Sequence, residues 1–441
     1  MKRYEEYKPT GTKWIASIPA TWDVQKIGAL FSQRKEKVSD RDYAPISVTK
    51  NGILPQLETA AKTDDGDNRK KVCIGDFVIN SRSDRKGSCG ISALEGSVSL
   101  INIVLQPRDR LIGKYAHYLL RCQPFSEEYY RNGRGIVADL WTTRYSEMKT
   151  ILLPVPPRAE QDQIVRYLDW QVSKINRLIV AKKKQIELLK EQASTVINET
   201  IAGRVLHHEV FDSRISMFGS IPQGWRIRPF SKIASIKSNL VDPLEYLEMA
   251  QISPASIEKN TGRIIRTCTV EQSGVSSPNH KFFVGQILYS KIRPMLNKVT
   301  IAPFDGLCSA DMYPIETKLV TEYLKYYLLS SSYLQQLPIT GNRVKMPKIN
   351  QEELGGTLIL VPPEREQKQI VDFIRTRCER IQHLVKDTNL QIDSIIELRT
   401  RLISDVVTGQ IDVRNIKVPD YTIPETDTTL DNVEEGESNE E

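Results

Sequence analysis

Long apolar runs are missing from this sequence. Nowhere in its 441 residues does one approach the roughly 18 to 20 apolar positions that a membrane helix needs. The opening MKRYEEYKPTG also lacks the apolar core of a signal peptide. A cytoplasmic protein with no membrane partner is therefore expected. Cysteine is scarce, with six residues at 73, 89, 122, 268, 308 and 378 and no CxxC pair. That spacing suggests neither a zinc site nor a disulfide framework. The five histidines (117, 207, 208, 280 and 383) form no HExxH motif. No GxxxxGK[ST] phosphate loop occurs, and Gly87-Ser88-Cys89-Gly90 lacks the lysine that such a loop needs. The two Pro-Pro pairs follow valine, not the Asn or Asp of an amino-methyltransferase tetrapeptide. These absences point to a recognition protein, non-catalytic, with no metal or cofactor of its own.

The charge is unevenly distributed. The formal net charge is +6, yet residues 418–441 hold nine acidic side chains and no Lys or Arg. Residues 1–417 thus carry 61 basic against 46 acidic groups, a net of +15. A body this basic attracts a polyanion. The acidic tail, 416–441, is expected to be disordered, and solubility is its favoured role.

The chain repeats itself. Val155-Pro156-Pro157-Arg158-Ala159-Glu160-Gln161-Asp162-Gln163-Ile164-Val165 returns as Val361-Pro362-Pro363-Glu364-Arg365-Glu366-Gln367-Lys368-Gln369-Ile370-Val371, with eight of eleven positions identical. Ile18-Pro19-Ala20-Thr21-Trp22 returns as Ile221-Pro222-Gln223-Gly224-Trp225, and Gly75-Asp76-Phe77-Val78 pairs with Gly285-Gln286-Ile287-Leu288. The offsets are 206, 203 and 210, so two halves share one frame with loops of different length. The recurrence of both tryptophans suggests packing of each domain start, not base stacking.

Within each half, strand-like runs come first. They include Phe77–Ile79, Ser99–Leu105 and a continuous Phe282–Tyr289. Short helices are expected at Tyr115–Cys122 and Tyr323–Ser330, then last strands at Ile151–Leu153 and Leu358–Leu360. Long helices follow over Arg158–Ala202 and Glu364–Thr408. Each begins just after a proline, whose missing N–H costs nothing there, and ends at a glycine suited to a left-handed cap, Gly203 or Gly409. Apolar residues recur at steps of three and four from Val165 to Thr200 and from Val371 to Val406, which is a coiled-coil seam. Lys182 and Thr388 are equivalent polar breaks in that seam and are read as register-fixing residues. Two equivalent halves tend to pack about a pseudo-twofold axis, which makes the helices antiparallel with the mixed domains at opposite ends. Forty-five residues give a strut of about 68 Å, comparable with about 20 base pairs.

Basic residues cluster in the loops of both mixed domains. In the first are Arg69, Lys70 and Lys71, then Arg82, Arg85 and Lys86, then Arg134, followed by Trp141, Thr143 and Arg144. In the second are Lys291, Arg293, Asn297 and Lys298, then Asn342, Arg343, Lys345 and Lys348. Lys and Arg neutralise phosphates, Arg can pair with guanine, and Asn with adenine. These are the candidate DNA-binding residues.

Two halves that each open with an IPxxW element and close with a VPPxxEQxxI element and a long helix resemble the specificity subunit of type I restriction–modification systems. Tyr7–Pro19 is similar to that family's start and Thr408-Gly409-Gln410-Ile411-Asp412-Val413 to its helix exit. Met217-Phe218 departs from the family's usual Trp-Leu. The resemblance implies an α+β fold with two target recognition domains, at 1–152 and 211–358. Long antiparallel coiled-coil helices, at 153–210 and 359–415, would space the two domains and dock partners. It implies double-stranded DNA as ligand, with two methyltransferase subunits and restriction (translocase) subunits as partners. S-adenosylmethionine, ATP and Mg²⁺ would then belong to those partners. The alternative of another class is a coiled-coil interaction protein with no DNA-reading role.

Overall fold

A computed structural model describes residues 2–56, 66–135, 141–206, 209–337 and 347–420. The chain forms two compact units. One combines the chain up to Lys182 with the chain from Leu390 on; the other is Lys183–Asn389. Each contains one mixed domain and half of each long helix.

In the first unit, strands β1 (Phe31–Gln33), β2 (Phe77–Asn80), β3 (Cys89–Ile91) and β4 (Asn102–Pro107) form an antiparallel sheet in the order β3-β2-β4-β1. β2 is buried throughout and β4 over its first four residues, as central strands of a packed sheet must be. In the second unit, β5 (Ala234–Ile236), β6 (Ile287–Ser290), β7 (Val299–Ile301) and β8 (Met312–Thr317) take the equivalent order, β7-β6-β8-β5. The fold is α+β, one design used twice. The apolar run Phe282–Tyr289 is not one strand, however. Residues 283–286 turn between Asn279–Phe282 and β6, with Gly285 at φ +84, as the equivalent Gly75 is at φ +89. Gln286 closes this turn by accepting the Phe283 N–H at 3.0 Å. Hydropathy alone cannot reveal such a break, because both flanks are apolar.

The long helices are α1 (Arg158–Ile201) and α2 (Glu364–Val407). All predicted seam residues are buried or half-buried. Within the first unit, Arg399 Nη1 donates to Asn176 Oδ1 at 2.7 Å and Lys182 Nζ to Gln391 Oε1 at 2.6 Å. Residue numbers rise along one helix as they fall along the other, so the pairing is antiparallel. In the second unit Ile197 and Ile201 share a core with Ile370, Val371 and Ile374. Lys182 therefore has a partner across the seam. Thr388 does not act that way: its hydroxyl donates to its own helix at the Leu384 carbonyl, 2.7 Å away, so it holds no register.

The repeated sequence motifs have specific tasks. Gln161 Nε2 donates to the Pro156 carbonyl (2.9 Å) and the Arg110 carbonyl (3.0 Å), while its Oε1 accepts the Ile112 N–H at 2.9 Å. Gln367 repeats this with the Pro362 carbonyl and the Val320 N–H, each at 2.9 Å. Ile112 and Val320 immediately precede the short helices Gly113–Arg121 and Thr321–Leu329. The buried amide thus joins the long helix, the Pro-Pro turn and the short helix of each domain. Both IPxxW tryptophans are buried, as their recurrence suggested. Trp225 Nε1 donates to Glu366 Oε2 at 2.8 Å. In the other half the equivalent Glu160 accepts instead from the Tyr4 hydroxyl, and buried Trp22 Nε1 has no partner.

Both helix caps are glycines in the left-handed region, Gly203 at φ +74 and Gly409 at φ +75. Each faces the proline and tryptophan of an IPxxW element. A Cβ on Gly203 would lie 2.3 Å from Pro222, and one on Gly409 would lie 2.4 Å from Pro19. Beyond Gly409 the chain packs on the start of the first domain, where the Asp412 N–H donates to the Lys2 carbonyl at 2.9 Å. Ile416 and Val418 also pack against this core. Residues 421–441 lie outside the described residues. Both the backbone conformation and the close approach demand glycine here. Gly409→Ala is expected to destabilise the first unit by about 2–4 kcal/mol, combining the left-handed penalty with overpacking. A thermal unfolding scan should show the loss as a lowered first transition, and Gly203→Ala should act equivalently on the second unit.

Candidate nucleic-acid interface

In each domain a turn follows the central strand, between β2 and β3 and between β6 and β7. Asn80 N–H donates to the Ser88 carbonyl at 2.9 Å, and Ser290 N–H to the Lys298 carbonyl at 3.0 Å. Each turn is also latched to the segment that precedes the last strand. Ser83 N–H donates to the Trp141 carbonyl at 3.0 Å, and Arg293 N–H to the Pro347 carbonyl at 2.8 Å. Bridges Arg82–Thr142 and Ile292–Lys348 complete the latch, and Thr142 bridges to Arg134 as well. These contacts gather Arg82, Arg85, Arg134, Trp141 and Arg144 in one region, all exposed. In the second domain they gather Lys291, Arg293 and Lys348. Cations held on latched turns can meet a phosphate backbone with little ordering cost.

Some of these cations have neighbours that temper their charge. Lys86 lies 3.4 Å from Glu127, Arg85 lies 3.9 Å from Asp84, and Lys348 lies 3.2 Å from Asp311. Such exposed pairs are weak and exchange readily for a phosphate. Lys291 Nζ sits 5.3 Å from the centre of the Tyr313 ring. Lys298 donates to the Pro254 carbonyl at 2.9 Å.

A family profile described as "Type I restriction modification DNA specificity domain" matches residues 244–393. The chain is 29% identical over 296 residues to the Escherichia coli "Type I restriction enzyme EcoDI specificity subunit", covering 64% of this chain and 66% of that protein. It is 22% identical over 448 residues to the Methanocaldococcus jannaschii "Putative type I restriction enzyme MjaX specificity subunit", covering 93% and 97%. A chain of a solved structure on complex assembly and conformational transition of the type I R-M system superposes with TM-score 0.65 at 13% identity, covering 89% of this chain and 99% of that one. These likenesses together support the type I restriction–modification specificity-subunit family for this chain. The alternative of a coiled-coil protein with no DNA role is not favoured.

Several of the predicted DNA-binding residues are engaged within the fold. Arg69 is 7% exposed and donates from Nε to Ser97 Oγ at 2.8 Å and from Nη2 to the Ser97 carbonyl at 3.0 Å. Burial lowers its pKa. Lys70 Nζ is engaged by the Leu100 and Asn102 carbonyls at 2.7 and 2.6 Å, and burial lowers its pKa too. Lys71 Nζ lies over the Tyr43 ring and 3.2 Å from Glu36; Tyr43 first, then Glu36, raises its pKa. Thr143 is 1% exposed, with its hydroxyl on the Tyr129 carbonyl at 2.9 Å. Asn297, also 1% exposed, donates to the Leu329 carbonyl at 3.0 Å. Thr143 and Asn297 brace the turns from within, whereas Arg69, Lys70 and Lys71 lie on a strand of a separate sheet. Asn342, Arg343 and Lys345 lie outside the described residues.

Sequence reasoning passed over Met295 and Leu296, which are 58% and 38% exposed among the second domain's cations. The signal that could have found them is the 210-residue offset, which pairs them with Arg85 and Lys86.

The two kinds of arginine should separate in experiment. Arg69→Ala leaves Ser97 without its donors and is expected to cost about 1–3 kcal/mol of stability. Arg82→Ala, at an exposed position, should change stability by less than about 0.5 kcal/mol. It should instead lower the slope of log affinity for duplex DNA against log salt by about one. Unfolding midpoints and binding titrations across salt concentrations distinguish the two.

Proposed function

We propose that this chain is the non-catalytic, DNA-reading subunit of a type I restriction–modification complex. Each mixed domain reads one half of a bipartite, asymmetric duplex site. The observation that carries this reading is the recurrence of one latched turn in both domains with unlike side chains. A shared scaffold with different surfaces is what two unlike half-sites require. The two half-site affinities multiply through effective concentration once both domains engage.

The helix pair sets the gap between half-sites. Forty-four residues in each helix correspond to about 66 Å, or about 19 base pairs of axial rise. The helices also offer outward-facing apolar residues for docking two methyltransferase subunits. Leu178 and Leu384, an equivalent pair, are 47% exposed each, and such side chains suit a protein interface. Restriction subunits join that core. S-adenosylmethionine, ATP and Mg²⁺ act in the partners, and the methyltransferase takes the target base out of the stack. The complex works in the cytoplasm, where its DNA lies.

The test is to co-express the chain with its methyltransferase and sequence the methylated positions. A bipartite motif with two unlike halves is expected. Exchanging residues 20–145 for those of a related chain should alter one half only; change in both halves, or in neither, would refute the assignment of one domain to one half. Inserting one heptad at equivalent points of both helices should lengthen the gap by about 3 base pairs, from about 10.5 Å of added helix. An unchanged gap would mean that the helices are no ruler.

A further inference from the structure

The two latched turns are the same length and close in the same way, but their tips differ in chemistry. β2–β3 and β6–β7 keep one register, with Cys89 opposite Ile79 and Val299 opposite Tyr289. The 210-residue offset therefore holds through the whole turn. Both turns reverse at a residue in the left-handed region, Gly87 at φ +84 and Asn297 at φ +50. At the equivalent tip positions the first domain has Arg85 and Lys86 and the second has Met295 and Leu296.

The second turn carries extra strain. Arg293 is also left-handed, at φ +44, directly before the tip Pro294–Leu296. A non-glycine residue prefers other backbone regions, and two such residues in one turn persist only where the surroundings enforce them. Here the enforcement comes from the Arg293–Pro347 hydrogen bond and from Asn297, whose buried amide holds the Leu329 carbonyl. The result is a methionine held out in water, 58% exposed, near exposed Arg293, on a turn that Ile292 bridges to Lys348. An apolar tip within a cationic rim fits the major groove of duplex DNA. Cations meet phosphates there, and the 5-methyl group of thymine is the apolar feature among the base edges. Arg85, 69% exposed at the other tip, has the fork that matches guanine O6 and N7.

We infer that Arg85 and Met295 are equivalent specificity-determining positions, Arg85 selecting guanine and Met295 selecting thymine through its methyl group. This rests on the reading of the chain as a DNA-reading subunit. It deepens that reading by giving the two half-sites a specific chemical difference at the base pair each tip meets.

The experiment uses the full chain with its methyltransferase and a pool of randomised duplexes, with methylated products sequenced. Met295→Arg should switch one position of one half-site from thymine to guanine and leave the other half-site unchanged. Arg85→Met should abolish a guanine preference at one position of the opposite half-site. Discrimination at each position should change about tenfold or more. Deoxyuridine in place of thymine, which removes the methyl group alone, provides a check that needs no variant to fold. Wild-type complex should bind the substituted site several-fold more weakly at one position, and Met295→Ala complex should show no such loss. If the motif stays bipartite while both exchanges leave every base preference intact, the tips are not readers; if deoxyuridine is tolerated throughout, Met295 does not select thymine through its methyl group. A wild-type complex without any bipartite motif would instead overturn the underlying functional reading.

Discussion

One buried side-chain amide in each half ties the molecule together. Gln161 and Gln367 are 1% and 3% exposed, and each satisfies backbone groups from separate segments. A buried backbone group without a partner is costly. Loss of this amide would therefore free the Pro-Pro turn and the adjoining short helix together. The long helix starts where it does because the prolines cannot extend it backward and the glutamine fixes its first turn. Domain and helix thus meet through a stiff joint. Under the proposed function such a joint keeps each domain's reading surface aligned with its own helix, since a loose joint would dissipate the gain from engaging two half-sites at once.

The repeat, the helix limits and the seam were legible in the sequence because each depends on local periodicity or on residues with unusual backbone chemistry. Proline, glycine and three–four spacing act over a few residues, so their signal survives without tertiary knowledge. The helix ends at Ile201 and Val407 fall one residue short of the limits read from Gly203 and Gly409. The turn at residues 283–286 was hidden for the opposite reason. Its flanks are uniformly apolar, and only long-range pairing divides them.

The candidate interface was legible as a composition and not as a surface. Arg69 and Arg82 look alike in sequence, yet one is locked onto Ser97 and the other lies in solvent. Strand alternation alone would not have marked either Arg69 or Lys70 as unavailable, since both lie on the central strand of their sheet and each is engaged there, by Ser97 and by the Leu100 and Asn102 carbonyls. Thr388 and Lys182 show the same limit. They occupy equivalent seam positions, but a threonine hydroxyl reaches its own helix while a lysine ammonium reaches across. The tip at Met295 escaped notice because a methionine between proline and leucine resembles core until its turn is seen to face outward.

The closure of the first unit by the far end of the chain bears on how the protein is made. Tyr115 donates its hydroxyl to the Val407 carbonyl at 3.0 Å, and Pro19 and Trp22 pack against Gly409. A ribosome that has just released the first mixed domain still has roughly 250 residues to synthesise before these partners emerge, a delay of about ten to fifty seconds at ordinary elongation rates. The second unit, Lys183–Asn389, can therefore finish folding while the first still shows an uncovered aromatic face. The half of the molecule that is translated first is completed last.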